Sequence, residues 1–142
     1  MVIYLDTSAF LKLYIREKES ETVQHMLAAQ REPVPIADVL QLEFVNSLRL
    51  KVFWGELDAP TVTHLLSLFD DRVYRGQYHI ATIERIRLLS DFRTLSLHTQ
   101  SIGCRSLDIL HVACALQLNV DTFITFDDRQ RELASREGLR VT

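Results

Sequence analysis

The sequence predicts an α/β fold, a mainly parallel sheet covered by helices on both faces. Three observations predict it. Short apolar runs rich in β-branched and aromatic residues alternate with stretches of helical periodicity along the chain. That alternation is the signature of βαβ units, which bury a parallel sheet between helices. Two of the runs, Val2-Ile3-Tyr4-Leu5 and Thr122-Phe123-Ile124-Thr125-Phe126, end in aspartates, Asp6 and Asp127. Open α/β sheets bind ligands in the crevice outside the carboxyl ends of their strands.

Composition bounds the rest. The 142 residues suffice for one domain with a substantial core, so residues 1–142 are read as a single domain. Apolar residues make up 47% of the chain, and no apolar run approaches a membrane span. No charged n-region with a small-residue cleavage site opens the sequence, so no secretory signal is expected. Two cysteines, Cys104 and Cys114, form no C-x-x-C pair, which suits free thiols and a cytoplasmic protein. The net charge of −3 argues against a broadly basic surface but not against a local basic rim. Of 16 basic residues 13 are arginine, the better bidentate phosphate partner, although genomic base composition accounts for such a bias equally well.

In order, the first strand stops at Asp6, and the hydroxyls of Thr7 and Ser8 can start a helix; Asp6 is then either a helix cap or a site residue. A short helix is expected over Ala9–Ile15, and a second from Ser20 carrying Val23, Met26 and Leu27. Pro33 and Pro35 end it and lead into a brief strand at Val34–Ala37, which the proline makes poor as a central strand. Asp38-Val39-Leu40-Gln41 reads as a capping box opening a long helix with Leu42, Val45, Leu48 and Val52 as its apolar stripe, closed by Gly55 at C′. Glu43 lies beside that stripe. Asp58 and Pro60 start a helix that runs to about Tyr74. Gly76 breaks it, and Tyr78–Ala81 is either a strand or an irregular link. Ser90 is expected to cap a helix running to Gly103, and Ser106 to cap one over Leu107–Leu118 with Asp108 in its first turn. After the Asp121–Asp128 stretch, a helix over Arg129–Arg136 and a short strand at Gly138–Val141 close the chain.

Topology gathers the acids. Asp6 and Asp127 follow strands of a parallel sheet and so share an edge. In right-handed βαβ units helices begin where strands end, which brings the starts of the Glu43 and Asp108 helices to the same edge. Two carboxylates about 5 Å apart repel by roughly 3 kcal/mol at an effective dielectric of ~20, so four together either protonate or hold a cation. Oxygen donors select hard ions, Mg²⁺ or Mn²⁺, and acidic sites of this kind hydrolyse phosphodiesters. His111, three residues after Asp108, faces the same way but reads as a partly buried helix histidine rather than a ligand. Haloacid-dehalogenase phosphatases need an aspartate where this chain has Ser8. Response-regulator receivers need a late lysine, and the last lysine here is Lys51.

The chain resembles the PIN-domain nucleases, in particular the VapC-type toxins of toxin–antitoxin pairs. Ile3-Tyr4-Leu5-Asp6-Thr7-Ser8-Ala9, Leu42-Glu43-Phe44-Val45-Asn46-Ser47-Leu48, Ser106-Leu107-Asp108-Ile109-Leu110-His111-Val112-Ala113 and Phe123-Ile124-Thr125-Phe126-Asp127 are similar to the family's four motifs in order. The resemblance implies a three-layer α/β/α sandwich and a Mg²⁺- or Mn²⁺-dependent endoribonuclease. It implies an RNA substrate, a cognate antitoxin and a homodimer, with no membrane association. Asp6, Glu43, Asp108 and Asp127 carry over as metal-binding acids, and Thr7 and Thr125 as candidates to hydrogen-bond them. Asp128 competes with Asp127 for the last role, and the Thr-x-Asp spacing favours Asp127. Residues 76–89 match no motif. A housekeeping nuclease, or a PIN fold that only binds RNA or protein, are the alternatives.

Overall fold

Alternate residues of β1 (Ile3–Leu5) divide the hydrophobic core in two. Ile3 and Leu5 face one cluster, with Phe10, Ile36, Leu40, Phe44, Leu48 and Phe69; Tyr4 faces the other, with Phe123, Ile109, Val112 and Leu133. This is the period-two alternation of a strand buried on both faces. The computed structural model describes all 142 residues. One helical layer comprises α1 (Thr7–Leu11), α2 (Ser20–Ala28), α3 (Asp38–Phe53) and α4 (Ala59–Tyr74). The other comprises α5 (Arg85–Leu95), a 3-10 turn (Ser96–His98), α6 (Thr99–Ile102), α7 (Ser106–Gln117) and α8 (Asp128–Arg136). The predicted α/β/α sandwich is the architecture observed. No helix is long and apolar enough to cross a membrane.

The sheet is parallel throughout. β1 pairs with β4 (Thr122–Ile124), and β4 with β5 (Arg140–Val141). A second ribbon pairs β2 (Val34–Ile36) with β3 (Tyr78–Ile80), so the undecided 78–81 segment is a strand. β1 and β2 lie in contact, giving the order β3-β2-β1-β4-β5 with no continuous ladder in the middle. Pro35 is the reason. Val34 N–H donates to Gln77 O and Ile36 O accepts from Ala81 N–H, so both neighbours of Pro35 face β3 and Pro35 faces β1. A proline offers no donor there. The unpaired Ile3 N–H on the opposite side donates instead to the Gln30 side chain at 2.8 Å. The proline thus sits near the centre of the sheet after all, at a seam between two ribbons.

Several helix starts differ from expectation. The first helix begins at Thr7 and is over by Leu11, because Asp6 itself caps it and Lys12–Ile15 continue as turns. Asp38 is not a cap: extended Ala37 precedes the helix, Asp38 occupies its first turn, and the expected box with Gln41 does not form. The buried face of α3 is Leu40, Phe44 and Leu48, spaced four apart, whereas Leu42 is 71% exposed. The aromatic cluster decides this: Phe44 packs on Phe10, Tyr14 and Phe69 with ring centroids 4.7–5.6 Å apart. Burying Phe44 leaves Glu43 at the rim of that face. Ser90 lies inside α5, whose cap is Glu84, accepting from Ile86 N–H and Arg87 N–H. Ser106 is likewise the first residue of α7, with Arg105 at the cap position. Asp58 caps α4 as expected, and Gly55, Gly76 and Gly103 end helices in the left-handed conformation.

Candidate active site

Asp6 is 4% exposed, at the carboxyl end of β1 and the start of α1. Its carboxylate accepts from Ala9 N–H at 2.9 Å, from Ser8 Oγ at 2.7 and 2.9 Å, and from Thr125 Oγ1 at 2.6 Å. Cap and site residue therefore coincide. Thr125, at the end of β4, also accepts from Asp127 N–H at 3.0 Å, so one hydroxyl fixes the spacing of two acids. The Ser8 hydroxyl similarly accepts from Phe126 N–H. Parallel pairing of β1 and β4 carries both strands to the same edge, and these hydroxyls lock it.

Two of the other acids come from helix starts. Asp127 caps α8, accepting from Gln130 N–H at 2.9 Å. Asp108, in the first turn of α7, accepts from Arg105 N–H at 3.2 Å and lies 3.5 Å from Gln130 Nε2. The exposed Arg105 guanidinium stands 3.7 Å from Asp108 and 3.8 Å from Asp127. Glu43 Oε1 accepts from Thr7 Oγ1 at 2.9 Å and meets His111 Nε2 at 2.5 Å. The structure thus brings Asp6, Asp108, Thr125 and Asp127 into one hydrogen-bonded group, and holds Glu43 through Thr7, the chain neighbour of Asp6. It leaves Asp128 out: that side chain is 95% exposed and pairs only with Arg131.

Electrostatics separates the acids. Burial pushes the Asp6 carboxyl above its ordinary value, outweighing the hydrogen bonds from Thr125, Ala9 and Ser8. Burial also opposes the Glu43 charge, but the His111 and Thr7 hydrogen bonds and the charges of His111 and Arg105 outweigh it and hold that carboxyl below the usual glutamate range. His111 is 2% exposed, deeper than its sequence context suggests, and bonded to the site rather than merely packed beside it. Arg105, Ser8 and Gln130 were also missed. Each lies two or three residues from one of the acids, a spacing that places it in the same turn.

The donor set can be tested against a cation. All four acids offer oxygen, Glu43 Oε2 takes no protein donor, and Asp127 Oδ2 faces only Arg105. Gln130 is 1% exposed and its Oε1 is buried with no hydrogen-bond partner. Oxygens left without donors in this way suit a hard ion. No three acidic, thiol or imidazole groups converge as a ready cage, and Mg²⁺ commonly keeps several waters rather than filling its shell from protein oxygens.

Ribonuclease VapC46 of Mycobacterium tuberculosis is 29% identical over 141 residues, spanning 98% of this chain and 95% of its own. Ribonuclease VapC47 from the same species is 28% identical over 130 residues, spanning 90% and 86%. Among solved structures, the sarcin–ricin loop cleaving toxin VapC20 of M. tuberculosis superposes with a TM-score of 0.70 at 14% identity, covering 96% of this chain and 95% of that one. VapBC2 from Rickettsia felis, bound to a DNA fragment from its promoter, also gives 0.70 at 14% identity, covering 100% and 98%. The model of the PIN domain matches residues 3–136, a span that takes in all four acids and every strand except the last, and the chain belongs to the PIN domain family.

Proposed function

We propose that the protein is a divalent-metal-dependent endoribonuclease, the toxin of a type II toxin–antitoxin module. The observation that carries this reading is the connected group Asp6–Thr125–Asp127–Asp108 with Glu43, in a chain similar along almost its whole length to proteins named ribonuclease VapC. Asp6, Glu43, Asp108 and Asp127 are the residues that would hold Mg²⁺ or Mn²⁺, directly or through its waters, and the ion would supply Lewis acidity for the hydrolysis. The chain's own residues do the rest. Thr125 and Ser8 fix the Asp6 carboxylate, Thr7 fixes Glu43, and Gln130 spans Asp108 and Asp127. Arg105, mostly exposed beside the acids, is placed to hold a non-bridging phosphate oxygen.

Metal hydrolysis leaves a 5′-phosphate and a 3′-hydroxyl, whereas 2′-hydroxyl attack needs a general acid–base pair. A single histidine reaches the acids; His98 pairs with Glu137, just past the end of α8, instead. The partners follow from the same reading: RNA as substrate, a second copy as homodimer, and a cognate antitoxin that lays a basic side chain over the acidic cleft in the cytoplasm. Solved relatives include VapBC complexes. End-group analysis of RNA cut by the purified protein, with EDTA and Asp127→Asn as controls, tests the chemistry. A cyclic phosphate, or cutting that persists in EDTA, would overturn it.

A further inference from the structure

Tyr4 and His111 are polar side chains buried where apolar ones would pack. Tyr4 is 0% exposed in β1 and His111 2% exposed on α7. Phenylalanine and leucine would fill the same space without desolvating a hydroxyl and an imidazole. Instead the Tyr4 hydroxyl lies 2.7 Å from His111 Nδ1, and His111 Nε2 lies 2.5 Å from Glu43 Oε1. These bonds hold the imidazole from both sides. An ionised carboxylate only accepts, so the proton between His111 and Glu43 sits on Nε2. The Tyr4 hydroxyl, which can either donate or accept, closes the other side of the ring at Nδ1. The Tyr4 ring is itself clamped, stacked on Phe123 at 5.4 Å and edge-on to the imidazole at 5.8 Å.

The pair decides how Glu43 faces the cleft. Glu43 reaches the site from α3, in the opposite helical layer from His111, at the rim of a helix whose buried face is apolar. Thr7 and His111 both bind the same oxygen, Oε1, and Oε2 takes no donor from the protein. We infer that Tyr4 and His111 are a positioning pair: they anchor Glu43 Oε1 and so leave Oε2 free for a cation. The inference rests on the metal-dependent reading above and adds to it two residues that bind neither metal nor substrate. Hydrogen-bond partners of metal-binding groups set their orientation and basicity in this way.

The test measures Mn²⁺ binding to the full chain by isothermal titration calorimetry, alongside single-turnover cleavage of RNA. His111→Leu is expected to bind Mn²⁺ about 10–100-fold more weakly. His111→Gln, whose amide can still donate to Glu43, is expected to recover much of that loss. Tyr4→Phe removes one oxygen and with it the hydrogen bond that holds the ring at Nδ1, so its affinity falls as well. In the His111→Gln background, where no imidazole remains to be oriented, Tyr4→Phe changes affinity no further. That pattern separates positioning from packing. Wild-type affinity in a folded His111→Leu, or His111→Gln no better than His111→Leu, overturns the inference. If His111→Leu fails to fold, Tyr4→Phe decides: affinity equal to wild type overturns it. Binding lost in Asp6→Asn but intact in the His111 and Tyr4 variants defeats this inference alone. A wild-type protein that takes up no Mn²⁺ defeats the metal reading and this inference with it.

Discussion

At the scale of the residue, Asp6 carries a cost that function explains. Its carboxyl titrates above the ordinary 3.8 because burial outweighs its hydrogen bonds. The folded state therefore holds that proton to higher pH than the unfolded chain does, and stability is lost as pH rises from about 3.8 through the folded value. In EDTA at pH 7 Asp6→Asn should melt at or above the wild type, since asparagine caps helices as well as aspartate and brings no charge into the core. The advantage should vanish near pH 4 and reverse in Mn²⁺, where only the wild type gains by mass action. Thermal melts at both pH values, with and without Mn²⁺, check it. A wild type clearly more stable than the variant in EDTA at pH 7 would refute it. The two adjacent aspartates offer a sharper contrast. Asp127→Asn should abolish cleavage, whereas Asp128→Asn should leave the rate within about twofold and stability within ~0.5 kcal/mol, because its side chain is 95% exposed and a surface pair with Arg131 is worth little. Comparing single-turnover rates of the two variants settles which carboxylate the site uses.

Among the elements, helix starts position three of the four acids, and they are also where sequence reading was weakest. Asp6 and Asp127 were legible because each follows a strand and caps the next helix. Asp108 and Glu43 were legible through topology, which says that helices start at the edge where strands end, and through the resemblance of their motifs. Caps placed by residue type alone went astray: Ser90 and Ser106 are good cap residues that lie within helices, while Glu84, an unfavoured type, caps α5. Tertiary context explains the last case. Glu84 N–H donates to Gln117 Oε1 and its carbonyl accepts from Gln117 Nε2, so α7 fixes the turn in which α5 must begin. Glu84→Ala should cost about 0.5–2 kcal/mol in urea unfolding, and Ser90→Ala close to nothing. The reverse order would restore the sequence-based cap. The apolar stripe of α3 was displaced for a similar reason. Periodicity pointed to a stripe through Leu42, and the aromatic cluster around Phe44, which joins α1, α3 and α4, turns the helix to bury Leu40, Phe44 and Leu48 instead.

Across the whole molecule, two cores and two ribbons meet at β1. The division into layers was legible from strand–helix alternation, but the gap inside the sheet was not: a proline marks a poor ladder position without saying which neighbour is lost. Pro35 loses the pairing with β1, and Gln30 supplies the one acceptor that Ile3 needs. The acids are shared across that gap. Asp6, Asp108 and Asp127 belong to the β1-β4-β5 side, and Glu43 follows β2 on the other. The seam has a consequence for amide hydrogen exchange. Without a central ladder, β2 and β3 can open as a cooperative unit of their own while β1 and β4 stay closed. Peptides covering Val34–Ile36 and Tyr78–Ile80 should therefore take up deuterium before those covering Ile3–Leu5 and Thr122–Ile124. Mn²⁺ should slow the first pair more than the second, and Glu43→Gln should remove the difference. Uniform slowing of all four strands would mean that the sheet opens as one body. Otherwise the divalent ion is a clasp across the seam, and deuterium uptake in β2 reads out whether the clasp is shut.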